Sequence, residues 1–204
     1  MFVKKYFVAS LKQNANFKEG KYKKALEETF LNMDEMMRGA KGKDKTPSQD
    51  TMENDDAGCT ANVVLITKDT IYCANSGDSR AVLCEDGKAV PLSFDHKPDN
   101  EGEKKRIEAA DGFVQFSRTN GVLSLSRAIG DFDYKTNDKL GPEKQIITAF
   151  PDVSQTPITE KTEFIITACD GIWDCLSNEE AVDRIRNEIS QGKMIHEINE
   201  NMLD

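Results

Sequence analysis

Residues 163–169 form an apolar, β-prone run that stops abruptly at Asp170-Gly171 and is followed by Trp173, the only tryptophan of the chain. The pattern predicts a strand whose end presents a carboxylate on a tight turn. Taken alone, an Asp-Gly pair after a strand is an ordinary turn. Upstream, residues 60–67 (Val63-Val64-Leu65-Ile66), 70–76 (Ile71-Tyr72-Cys73-Ala74) and 79–84 (Ala81-Val82-Leu83) read as short strands. Asp69, Gly77-Asp78 and Asp86-Gly87 supply turn chemistry between or after them. Spacers this short predict antiparallel neighbours, because a parallel pair needs a longer crossover.

Helical spacing takes over at both ends of the chain. Val3, Phe7 and Leu11 share one face of an N-terminal segment. Tyr22, Ala25, Leu26, Thr29, Met33 and Met37 recur at helical intervals over residues 21–38, and this stripe is assigned to the core. A short charged helix is expected over residues 101–110, buried through Ile107 and Ala110. Ser177-Asn178-Glu179-Glu180 is a capping box, followed by an apolar face of Ala181, Val182, Ile185 and Ile189 and a stop at Gly192. A last helix is expected over residues 194–203. Residues 39–58 read as a surface loop, and residues 111–151 as irregular with pieces of strand. Hairpin strands between terminal helices predict an α+β fold in one domain.

Composition adds bounds. The 204 residues are 38% hydrophobic and 31% charged, with a net charge of -9. That charge argues against nonspecific nucleic-acid binding, which needs a basic face. No apolar run approaches membrane-spanning length, so no membrane partner is expected. Five cysteines without framework spacing are read as buried free thiols, which points to a reducing, cytoplasmic or nuclear compartment. No Cys-x-x-Cys pair supports zinc. No Gly-x-x-x-x-Gly-Lys-Ser/Thr loop accompanies the strand ending at Asp170, and residues 131–136 put Lys135 and Thr136 where a calcium loop needs a ligand and a glycine.

Several strings then stand in a telling order: Gly77-Asp78-Ser79-Arg80-Ala81-Val82, Asp95-His96-Lys97-Pro98, Thr119-Asn120-Gly121, Ser126-Arg127-Ala128-Ile129-Gly130-Asp131 and Asp170-Gly171-Ile172-Trp173-Asp174. Over residues 58–189 they resemble the metal-dependent type 2C protein Ser/Thr phosphatases. The resemblance implies a four-layer α-β-β-α sandwich of two antiparallel sheets flanked by helices, with a Mg²⁺ or Mn²⁺ centre that activates water against phosphoproteins. It implies that Asp170 is a metal ligand and that Asp78 helps to hold a further, weaker metal. Residues 95–151 resemble the family's flap, which borders the cleft.

The sequence also departs from the family. The Arg and Glu-Asp elements, the Asp-Gly-His-Gly-Gly motif and the Asp-Asn-Met-Thr motif do not occur in it. The expectation is therefore an incomplete sandwich: residues 1–204 as a partial catalytic domain, truncated at both ends and weakly active or inactive. The alternative is a non-catalytic phosphatase-like module that binds phosphoproteins or regulators through the flap. Self-association through exposed sheet edges is expected as well. His96 is assigned a structural hydrogen-bonding role and His196 an exposed position. Arg127 stays open between a phosphate neighbour and a flap anchor beside Asp131, and Asp131 between a turn brace and a site neighbour.

Overall fold

The computed structural model describes residues 2–43 and 57–203. Three helices come first, α1 (Phe2–Gln13), α2 (Ala15–Lys18) and α3 (Tyr22–Lys43). Asn14 starts α2 by accepting hydrogen bonds from the amides of Asn16 and Phe17 at 2.8 and 3.2 Å. The stripe of α3 is core: Ala25, Leu26, Phe30 and Met33 are fully buried and meet Phe7 and Leu11 of α1. The helix runs on through Gly39 to Lys43, where a loop was expected. Single glycines cost only about 1 kcal/mol each in a helix, and the buried turns before them have already nucleated this one. The rest of the expected loop, residues 44–56, lies outside the described residues.

The strands are β1 (Ala61–Ile66), β2 (Thr70–Ser76), β3 (Arg80–Glu85) and β4 (Lys88–Pro91), then β5 (Val114–Gln115) and β6 (Arg118–Thr119), and finally β7 (Asp152–Pro157) and β8 (Thr162–Ala168). Helix α4 (Glu101–Ala109) separates β4 from β5, and α5 (Asp170–Trp173), α6 (Asn178–Ser190) and α7 (Ile195–Leu203) follow β8. Two antiparallel three-stranded sheets result, in the orders β1-β2-β7 and β4-β3-β8.

The two-residue period of each strand sets the layers. On β2, Ile71 and Cys73 face the gap between the sheets, where they meet Ala81, Leu83 and Leu92. The alternate residues, Tyr72 and Ala74, face α1 and α3. On β3, Val82 and Cys84 turn outward against Trp173, Ala181 and Val182. The order is helix, sheet, sheet, helix, as the resemblance implies. The capping box of α6 forms, with the Ser177 side chain and the Glu180 amide 3.3 Å apart and the Glu180 carboxylate returning to the Ser177 amide at 2.8 Å. Ile189, placed on the buried face by spacing, is instead 49% exposed. The cysteines are all free, but only Cys73 and Cys84 are buried. Cys59, Cys169 and Cys175 are exposed, because they sit at strand ends and turns rather than inside strands. No helix among the described residues is long and apolar enough to cross a membrane.

The irregular region is tied to the helices by charge. Asp34 of α3 accepts two bonds of 2.8 Å from Lys135 Nζ, which also donates to the Ala128 carbonyl. The Gly130 amide donates to the same carboxylate at 2.7 Å. Both side chains are buried, and burial pulls the Lys135 amine below its ordinary pKa against the opposing pull of Asp34. Removing one partner strands the other charge in the interior. Asp34→Ala is therefore expected to lose about 3–5 kcal/mol in urea denaturation at pH 7. The double replacement Asp34→Leu with Lys135→Met should recover most of that loss, and a single mutant within 1 kcal/mol of wild type would refute the assignment.

Candidate functional site

The register of the second sheet fixes where the two candidate acids lie. Arg80 of β3 pairs with Ala168 of β8 in antiparallel sense. Asp78 precedes Arg80 by two residues and Asp170 follows Ala168 by two, so both leave the same end of this strand pair. Gly77 makes the turn before Asp78 with φ of +115°, and a Cβ there would lie 2.4 Å from Thr60 Cγ2. Only glycine fits.

The turn is clamped by the segment that carries Asp95-His96-Lys97. The His96 amide donates to the Gly77 carbonyl at 3.0 Å, and the Gly77 amide donates to His96 Nδ1 at 3.2 Å. With Nδ1 accepting, the neutral ring carries its proton on Nε2, which faces Asp152 Oδ2 at 3.1 Å. His96 is buried and holds the turn in place, as the sequence reading assigned it, while His196 is exposed. Asp95 takes both forks of Arg80 at 2.8 Å each, and that guanidinium also donates to Asn178 Oδ1 and lies 5.3 Å from the Trp173 ring. Trp173 itself is core, with its indole N–H on the Ala168 carbonyl at 2.9 Å.

Asp78 is 5% exposed and its Oδ2 accepts from Lys97 Nζ at 2.7 Å. Asp170 is exposed as the first residue of α5, and its carbonyl accepts the Asp174 amide at 2.7 Å. Burial opposes the charge on Lys97, but Asp78 first and then Asp95 and Asp174 outweigh it and raise the pKa of the amine. Asp174 thus faces this same neighbourhood. Among the described residues, no group of three or more His, Cys, Asp or Glu side chains is arranged to hold a metal ion. Asp78 and Asp170 are two carboxylates, and that of Asp78 is already paired with the Lys97 ammonium. They do not amount to the ligand set of a metal pair.

A second charged group ties α4 to Ser126, Arg127 and the start of β7. Glu103 of α4 is buried and accepts from Arg127 Nη2 at 2.6 Å, Arg106 Nη1 at 2.6 Å and Ser126 Oγ at 2.7 Å. Arg127 continues to Asp152 Oδ1 at 2.8 Å and the Phe150 carbonyl at 3.1 Å, and Arg106 to the Ser126 carbonyl. Of the readings left open for Arg127, its contacts are those of an anchor, made to Glu103 and Asp152. Asp131 takes a left-handed turn with φ of 50° beside Gly58. The hydrogen bond from His96 and the charge of Arg127 hold the Asp152 carboxyl well below the usual carboxylate range. Sequence reasoning missed Glu103, Arg106 and Asp152. The available signal was the spacing of Glu103 with Ile107 and Ala110, which puts a carboxylate on the apolar face of α4.

Burial would raise the pKa of Glu103, but the two arginines and Ser126 bring it from 4.5 to about 2. A depressed carboxylate stabilises the fold above its unfolded pKa, and that stabilisation is lost as pH falls through the folded value. Glu103→Gln is therefore expected to cost about 3 kcal/mol at pH 7 in urea denaturation, a deficit that shrinks between about pH 4.5 and pH 2. A deficit that does not change across that window would show that ionisation of Glu103 is not its source.

The profile of the family described as Protein phosphatase 2C matches residues 3–204. "Protein phosphatase 2C 1" of Paramecium tetraurelia is 46% identical over 199 residues, which are 97% of this chain and 66% of the relative. "Protein phosphatase 2C homolog 3" of Schizosaccharomyces pombe is 48% identical over 194 residues, 95% of this chain and 44% of the relative. The chain thus spans about two thirds of the first and under half of the second. Among solved structures, a phosphatase from Toxoplasma gondii superposes with a TM-score of 0.71 at 24% identity, covering 98% of this chain and 73% of its own, a likeness of fold. A Caenorhabditis elegans sex determining protein superposes with a TM-score of 0.65 at 28% identity over 80% of this chain and 37% of its own. With the profile matched along nearly its whole length, the chain belongs to the protein phosphatase 2C family.

Proposed function

We propose that the protein to which this chain belongs hydrolyses phosphoserine and phosphothreonine in proteins with Mg²⁺ or Mn²⁺ as its cofactor, and that Asp170 and Asp78 are metal ligands. The observation that carries this reading is the family match together with the register that sends both acids from one end of the β3–β8 pair. When bound, such ions supply an acidified water and neutralise phosphoryl charge. The residues here have separate tasks. Asp170 is exposed and open to a docking phosphoprotein, whereas Asp78 sits on a turn that Gly77 and His96 hold rigid. The flap, residues 95–151, borders the site through the Glu103–Arg127–Asp152 anchor and influences which substrates enter.

The 204-residue chain by itself is weakly active or inactive. A catalytic pair of hard cations wants about six oxygen ligands for each ion, and Asp170 and Asp78 leave water to make up the remainder at a cost in affinity. The test is Mn²⁺-dependent turnover of a phosphothreonine peptide by the purified chain, with the Paramecium relative assayed alongside. The relative is expected to give chelator-sensitive turnover and the chain little or none. Comparable turnover by both would overturn the inactivity and keep the phosphatase reading. A relative without such turnover would undermine the phosphatase reading itself.

We also propose that copies of the chain associate through open strand edges. Strands β1 and β7 bound one sheet and β4 and β8 the other, and Ile66 at the end of β1 is 60% exposed. Sedimentation velocity is expected to show a mean mass that rises with concentration. A monomer at every concentration, with a sharply cooperative melt, would count against it.

A further inference from the structure

We propose that the hollow between the start of α3 and strands β2 and β7 docks a short acidic segment of a partner polypeptide, held by Lys21, Lys23 and Lys24. The proposal is independent of the metal-ligand reading of Asp78 and Asp170. Charge is spread unevenly along the chain. The first 24 residues hold seven lysines and one acid, whereas the other 180 hold 20 basic and 35 acidic residues. Four of those lysines, Lys18, Lys21, Lys23 and Lys24, fall within seven consecutive positions, and all four are exposed.

Folding gathers this charge around a concavity of about 450 Å³, lined by Lys21, Tyr22, Lys23, Lys24, Tyr72 and Gln155. The Tyr22 and Tyr72 rings meet edge-on at 5.5 Å and form an aromatic wall. Neither phenol hydroxyl, nor the Gln155 side-chain amide, nor the Lys23 ammonium has a hydrogen-bond partner among the described residues. Lys21 turns to Glu19 at 2.8 Å and Lys24 lies 3.9 Å from Glu28, but these two lysines are 63% and 64% exposed. Ion pairs so open to water are weak, and an incoming carboxylate can replace them. Glu27 also lines the hollow, one acid against three lysines. The chemistry that fits is a run of carboxylates that reaches the ammonium groups while its backbone meets the phenol and amide groups.

Length decides between polyanions. A bilayer or a nucleic acid extends past the lysines onto the rest of a chain whose acids outnumber its bases 35 to 20, and is repelled there. A short segment stays on the basic end. Helix α1 adds little to a membrane contact. Its Phe7 and Leu11 are buried in the core, and among its described residues Val8 alone is a large apolar side chain exposed to solvent. The hollow also stands apart from the candidate metal ligands, since Tyr72 is near the start of β2 and Asp78 follows its end.

The test is fluorescence anisotropy of a labelled hexaglutamate peptide with the 204-residue chain at low salt. Saturable binding that weakens as salt rises is expected. Lys23→Glu with Lys24→Glu is expected to weaken it about tenfold, each reversal replacing an attraction by a repulsion. Lys139→Glu with Lys144→Glu makes the same change in net charge at exposed positions of the irregular region, and is expected to leave binding as it was. Tyr22→Phe with Tyr72→Phe removes the two hydroxyls, keeps the rings and is expected to weaken binding about threefold.

No saturable binding, or equal weakening by the two lysine pairs, overturns the proposal. Full binding by the tyrosine pair overturns it as well, because the lysines would then act as a flat surface charge. So does a phosphatidylserine vesicle or a single-stranded oligonucleotide that binds more tightly than the peptide and is lost with Lys23→Glu and Lys24→Glu. That result would assign these lysines to a membrane or to a nucleic acid.

Discussion

The buried carboxylate of Glu103 is the constraint on which the site end of the molecule depends. Taking a carboxylate out of water costs several kcal/mol, and here two guanidinium groups and a hydroxyl offset that cost. The chain of contacts runs outward from it through Arg127 to Asp152, from Asp152 to His96, and from His96 to the Gly77 amide. One line of charged and hydrogen-bonded groups thus joins helix α4, the first residue of β7 and the turn that presents Asp78. The partners are far apart in sequence, 24 residues for Glu103 and Arg127 and 56 for His96 and Asp152.

The frame and the candidate ligands have different characters. Gly77 and His96 allow the turn little freedom, and Arg80 ties Asp95 to the sheet and to the start of α6. Against this background Asp78 is buried and paired with the Lys97 ammonium, whose side chain is 41% exposed. Asp170 completes the contrast. It is exposed, on the first turn after β8.

Much of this was legible in the sequence where local pattern carried the information. The apolar runs of β2 and β3, the stripe of α3, the capping box of α6 and the Gly77-Asp78 turn all follow from neighbouring residues. Strands β4 and β7 were not legible. Ala89 and Val90 stand between Lys88 and Pro91, and β7 has Val153 as its one large apolar residue, so neither presents a period. Both are strands because β3 and β2 offer them a ladder, a tertiary cause. The length of α3 was hidden by its glycines. The resemblance singled out Asp78 and Asp170, but it could not show that Asp78 is held by Lys97, nor that Arg127 turns to Glu103. Long-range ion pairs leave no mark on periodicity or composition.

The most direct measurement of the central proposal, that Asp78 and Asp170 are metal ligands, is an anomalous difference map from crystals of the 204-residue chain soaked in Mn²⁺. A peak beside the carboxylates of Asp78 and Asp170 is the predicted result. Saturating Mn²⁺ with no peak at either carboxylate would contradict it.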